Sequence, residues 1–135
     1  MPTKQRSELS QKNKYWIPKF RYLELKNFCF QYPEWKQQLA SITEIRAVFP
    51  KSSLGNFSNP TEQNALCRDR LESNINLIDS TAKEADSYLA PWIIKGATEC
   101  YSFDYLHLQI SMPASRDTYY DRYRRFFWLL DQKRD

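Results

Sequence analysis

The chain has 135 residues, 41% of them hydrophobic and 16% aromatic, with only two glycines. That length suits one domain with its own core, the apolar content excludes a disordered tail, and the scarcity of glycine disfavours a fold built on hairpins. The formal charge of +4 is uneven: residues 1–26 carry net +5, residues 27–110 net −3 and residues 111–135 net +2, so basic ends flank an acidic middle, which favours an anionic partner such as nucleic acid.

No apolar run approaches the roughly 18–20 residues of a membrane span, and "MPTKQRSELSQKNK" lacks the apolar stretch of a signal peptide, so no membrane partner and a cytoplasmic location are expected. Cys29, Cys67 and Cys100 are odd in number and form no CxxC pair. They point to buried small hydrophobes, not to a disulfide framework or a zinc site.

Residues 1–13 are expected to be a flexible, basic N-terminus, with order beginning near "KYWIPKF". From Pro18, "PKFRYLELKNFCFQ" sets Tyr22, Leu25, Phe28 and Cys29 on one helix face and Phe20, Leu23 and Phe30 on another. Pro33 ends that helix and can begin a second, "PEWKQQLASI", with Trp35 and Leu39 one turn apart. Residues 49–60 hold the turn formers of a loop.

"NPTEQ" then offers a cap at Asn59, a proline for the first helical position and Glu62 for a capping box. Cys67, Leu71, Ile75, Ile78, Ala82 and Ala85 recur at spacings of four, four, three, four and three, predicting a long amphipathic helix over residues 60–85. Asp86 or Ser87 caps the next apolar stretch, in which Pro91 sits in the first turn or makes a kink. Ser102 caps a short helix, "FDYLHLQI", and a last helix over 115–132 starts at Ser115 with Tyr119, Tyr123, Phe126, Phe127 and Leu130 as its buried set. The fold class is therefore all-α, with about six helices in a single domain: a helical support region at 14–85 and a helix-turn-helix region at 86–135.

A helix, a short helix, a compact turn and a long basic helix follow one another at the end of the chain, the order of a helix-turn-helix. The turn "ISMPAS" offers Ile110 as its buried apolar residue and Pro113 as the stop. At 100° per residue, Arg116, Thr118 and Tyr120 lie near the start of the last helix, where base edges or phosphates would be met, and Arg124 and Arg125 are available for the backbone. Asp117 and Asp121 share that outward side with Trp128; they accept from cytosine, orient the arginines, or belong to an ordinary solvated or protein-binding face.

"KNKYWIPKFRYLELK" interleaves Lys12, Lys14, Lys19, Arg21 and Lys26 with Tyr15, Trp16, Phe20 and Tyr22. Three roles stay open for it: stacking bases and neutralising phosphates, rimming a protein interface, or joining the core. Tyr15, Trp16, Lys19, Arg21 and Trp128 are the candidate partner-interface residues. Catalysis has little to work with, since the only histidine, His107, lies between two leucines as a partly buried helper, and no phosphate loop, HExxH or GxSxG is present. No cofactor, metal or enzymatic activity is expected.

The stretches "YWIPKFRYLELKNFCFQYPEW" and "RDTYYDRYRRFFWLL" resemble a group of small proteins carried by phages and integrated elements of Firmicutes. The last 50 or so residues are similar to ArpU- and RinA-type phage transcriptional regulators, whose ending resembles the helix-turn-helix of sigma factor region four. That resemblance implies a bacterial host cell and contact with promoter DNA and the transcription machinery. It marks Thr118, Tyr119 and Tyr120 at the start of the recognition helix and Arg122, Arg124 and Arg125 along it. The expected function is a non-enzymatic, DNA-binding transcriptional regulator acting on duplex DNA, possible as a homodimer. The alternative is a phage-encoded, protein-binding inhibitor of a host complex, either RNA polymerase or a nucleic-acid-guided defence nuclease in the manner of an anti-CRISPR protein.

Overall fold

In the computed structural model the described residues are 13–48 and 58–134, with side chains described at 13–42 and 65–134. They form six α-helices and, among the described residues, no strand: α1 Lys19–Phe30, α2 Tyr32–Val48, α3 Ser58–Ala85, α4 Ala90–Glu99, α5 Phe103–Gln109 and α6 Arg116–Lys133. Residues 1–12 of the expected flexible stretch, residues 49–57 of the loop expected at 49–60 and the side chains of the capping box at Asn59 and Glu62 lie outside what is described, while α3 already begins at Ser58, so residues 58–60 are helix and not loop. No helix among the described residues is long and apolar enough to cross a membrane.

The helices divide into two compact units, Tyr32–Asn76 and the described part of Met1–Gln31 together with Leu77–Asp135. α1 therefore folds with the C-terminal helices and not with the support segment 14–85. The cause lies in its sequence: Tyr22, Leu25, Phe28 and Cys29 form the buried face the spacing predicts, and α1 uses it to pack on α4 and α6. Its second apolar face stays outside, with Phe20 79% exposed and Phe30 37% exposed.

In the first unit, Pro33 sits in the first turn of α2, which runs beyond the predicted "PEWKQQLASI" to Val48. Tyr32 and Trp35 are buried on α2, Leu71 and Ile75 on α3. In the second unit the α3 stripe continues through Ile78, Ala82 and Ala85, all buried, so the predicted register holds from Leu71 onward while Cys67 is half-buried.

Asp86 holds the break after α3: its Oδ1 accepts from the backbone N–H of Tyr88 at 2.9 Å and of Leu89 at 3.0 Å. Pro91 then lies in the first turn of α4, where its missing N–H costs nothing, and makes no kink. α4 ends at Cys100, in the left-handed conformation with φ 61. That corrects the expectation of three buried cysteines: Cys29 is buried, Cys67 half-buried, and Cys100 exposed where the chain turns off its helix.

Ser102 and Ser115 are N-caps as predicted, each side chain accepting from the backbone N–H three residues on, Tyr105 and Thr118. Between them the turn closes on one carbonyl. Ser111 adopts φ 59, and the N–H groups of Ile110 and Met112 both reach the Leu106 oxygen, at 3.2 and 3.0 Å. This turn buries Met112, 1% exposed, and leaves Ile110 half-buried, reversing the expected choice. His107 is exposed rather than partly buried; its Nδ1–H donates to the Met112 carbonyl at 3.1 Å and its ring stacks on Phe103, so it latches the turn.

α6 buries Tyr119, Tyr123, Phe126, Phe127 and Leu130, the predicted set, and adds Tyr120 and Leu129. Tyr123 meets the ring of Phe127 at 5.0 Å, and Phe127 meets Tyr22 of α1 edge-on at 5.1 Å. Such tilted pairs add roughly 0.5–1.5 kcal/mol each to the burial of the rings themselves.

Candidate nucleic-acid interface

The outward side of α6 divides into two halves. Its first two turns present Asp117 and Thr118, both exposed, with Arg116, Asp121 and Arg122 half-buried beside them. Arg116 is tied back to α5, where its Nη2 meets Asp104 Oδ1 at 2.9 Å and its guanidinium lies 4.9 Å from the centre of the Phe103 ring. Arg122 reaches Asp86 Oδ2 at 3.5 Å and Asp121 at 3.8 Å. Exposed pairs of this kind contribute about 0–1 kcal/mol, so a stronger anion can displace either carboxylate.

Tyr120 does not belong with them. It is 3% exposed, its ring packed 5.2 Å from that of Tyr119 and 6.4 Å from that of Phe103, so the expected contact with base edges is corrected to a core position. The wheel sets Tyr120 at the border of the buried arc, and the short helix α5 covers that border.

The second half of the outward side is covered by the segment before α1. Tyr15, 8% exposed, lays its ring 5.6 Å from that of Trp128, and Arg125 Nη1 donates to the Tyr15 hydroxyl at 3.3 Å. Asn13 fixes the segment, its Oδ1 accepting from the Tyr15 N–H at 2.8 Å and its carbonyl from the Trp16 N–H at 3.0 Å. Trp128, expected to stand free, is thus half-buried, and Tyr15 is an internal contact.

Three cations meet at this place. Lys14 Nζ lies 5.0 Å from the centre of the Tyr15 ring, Arg125 bonds its hydroxyl, and Arg124 lines the same small recess as Tyr15, Ile17, Tyr22, Tyr123 and Phe127. The Nε atoms of Arg124 and Arg125 are buried with no hydrogen-bond partner among the described residues. No carboxylate pairs with Lys14, Arg124 or Arg125 among the described residues. Hydrogen bonding to Arg125, with help from Lys14, holds the Tyr15 hydroxyl below the ordinary phenol range.

Arg21, expected at a partner interface, is also turned inward. Its Nε donates to Asp131 Oδ1 at 2.6 Å and Nη1 to Glu24 at 2.6 Å, while Nη2 reaches the carbonyl oxygens of Asp131, at 3.3 Å, and of Arg134. These carbonyls close α6, where the helix leaves acceptors unpaired and a cation is favoured. Asp131 and Glu24 hold the guanidinium pKa above its ordinary value. Of the five interface candidates, Trp16, 39% exposed, and Lys19 alone face outward freely.

Sequence alone misses the meeting of Lys14 with Arg124 and Arg125, because 110 positions separate Tyr15 from Arg125. The alternation of buried Tyr15 and Ile17 with exposed Lys14 and Trp16 is the one signal of it. Among the described residues no group of His, Cys, Asp or Glu is arranged to hold a metal ion. No family model, curated protein or solved structure matches the chain.

Proposed function

We propose that the chain is a non-enzymatic regulator that binds duplex DNA, with α6 as the recognition helix of a helix-turn-helix formed by α4, α5 and α6. The observation that carries this reading is the cluster of Lys14, Arg124 and Arg125 around Tyr15, with no carboxylate partner among the described residues. Gathering like charges costs free energy that a polyanion recovers, and phosphates are the polyanion a basic helix meets. Arg124 and Arg125 serve the backbone, and Thr118 at the exposed start of α6 is the candidate for base edges. Arg116 and Arg122 exchange Asp104 and Asp86 for phosphates at little cost.

Arg124→Ala with Arg125→Ala tests it on random duplexes at two salt concentrations. The fold should persist, affinity should fall, and the slope of log affinity against log salt should flatten by about 0.9 for each phosphate that is no longer neutralised. An unchanged affinity and slope would remove α6 from the interface.

A second reading, a protein-binding factor directed at RNA polymerase or a defence nuclease of the host, is favoured by α5, whose Leu108 is 74% and Tyr105 42% exposed. Capture from nuclease-treated host lysate separates the two, since a partner that survives the nuclease supports the second reading.

A further inference from the structure

We propose that Trp16 and Phe20, flanked by Lys14 and Lys19, form a platform on which the unpaired bases of a single nucleic-acid strand stack. The proposal rests on the nucleic-acid reading above and adds to it a surface outside α6.

Trp16 and Phe20 are 39% and 79% exposed, and neither side chain has a ring or hydrogen-bond partner among the described residues. Water is a poor solvent for both rings, yet the backbone that carries them is held in place. Tyr15 is fixed to Trp128 and Arg125, Ile17 is buried at 6% exposure, and the Pro18 carbonyl opens α1 by accepting from the Tyr22 N–H at 2.9 Å. Anchored neighbours therefore present two aromatic side chains within five residues. Lys14 and Lys19 are exposed and have no carboxylate partner among the described residues, and Glu24, the acid nearest to Lys19 in sequence, is engaged by Arg21 at 2.6 Å.

Rings that accept a flat apolar face, alternating with exposed cations, match the two chemistries of a single strand: bases with free π-faces and a phosphate chain. A duplex does not fit, because its bases stack on one another and offer no face. An anionic bilayer fits poorly. Insertion needs a broad apolar face, and the residues one and two turns along α1 from Phe20, Glu24 and Asn27, are polar and exposed.

The test uses the full chain and a short fluorescein-labelled oligothymidylate, read by anisotropy beside a random duplex. Trp16→Ala with Phe20→Ala should weaken oligothymidylate binding about tenfold or more and leave duplex affinity within about twofold, since each base that no longer stacks removes a substantial share of the affinity. Trp16→Phe with Phe20→Tyr keeps both rings and should restore strand binding. Arg124→Ala with Arg125→Ala should weaken duplex binding more than strand binding. If the ring-dependent strand binding is present while no protein binds duplex, the regulator reading fails and the platform stands. Wild-type affinity in the ring-deletion variant overturns the platform, as does a wild-type chain that binds phosphatidylglycerol vesicles but no oligothymidylate.

Discussion

Gly96 on α4 lies directly against the phenolic oxygen of Tyr119 on α6: a Cβ built on Gly96 overlaps that oxygen, yet stands 3.5 Å from the ring carbon bearing it and 3.6 Å from Leu106 Cδ1. The glycine is there for this approach, since its backbone is ordinary helix. Alanine in a helix interior gains about 0.8–1 kcal/mol over glycine, but overpacking costs about 1–3 kcal/mol. Gly96→Ala should therefore lower the urea midpoint. The Tyr119 hydroxyl is buried with no hydrogen-bond partner among the described residues, so Tyr119→Phe should be neutral or stabilising. In the Tyr119→Phe background only ordinary van der Waals neighbours remain, and Gly96→Ala should change sign and stabilise. Equal costs in both backgrounds would show that the oxygen is not what the glycine accommodates.

Arg21 has four acceptors, and three of them, the Asp131 carboxylate and the carbonyls of Asp131 and Arg134, join α1 to the end of α6. The pairs with Asp131 and Glu24 are partly exposed, so their Coulomb share is modest, and the geometric share lies in the fork. Arg21→Ala should cost about 1–2 kcal/mol in denaturant unfolding, and Arg21→Lys should recover little of it, because one ammonium cannot span those acceptors. Amide exchange at the end of α6 should rise in both variants. Full recovery with lysine would reduce the interaction to simple charge.

Met112, not Ile110, is the apolar anchor of the turn between α5 and α6. Met112→Ala should cost about 2–5 kcal/mol and Ile110→Ala clearly less, as cavity formation scales with burial. Thermal midpoints of the two variants give the order directly, and a larger loss at Ile110 would reverse the assignment of the turn.

Why does the sequence hide this turn when it reveals the helices beside it? Periodicity and caps are local: the α3 stripe and the serines at 102 and 115 are legible because each depends on residues within a turn or two. The choice between Ile110 and Met112 depends on Ser111 entering the left-handed region, which nothing in "ISMPAS" announces. Tyr120 lies at the edge of its helical wheel, and its burial depends on how α5 sits, which is a tertiary fact. Arg21 and Tyr15 read as surface residues because their partners, Asp131 and Trp128, lie more than a hundred residues away. The basic character of the candidate interface is visible in the composition; its division into a free half and a covered half is not.

Alkaline pH should unfold this protein earlier than its surface charge alone would suggest. Burial pushes the Cys29 thiol from its ordinary 9.0 up to about 12 and raises the Tyr119 and Tyr123 phenols above their ordinary 10.0. Below pH 9 all three groups are protonated in both states and add no pH dependence. Above it the unfolded thiol ionises while the folded one keeps its proton, so the unfolded state binds fewer protons and stability falls, by about 1.4 kcal/mol per pH unit per group. The tyrosines join above pH 10 and steepen the fall, whereas Tyr15, whose hydroxyl Arg125 holds below its ordinary value, works the other way. Urea midpoints measured from pH 7 to 11 should be level and then decline, and Cys29→Ala should move the onset toward pH 10. A decline that begins at the same pH with and without Cys29 would mean that this thiol is not protonated in the folded core.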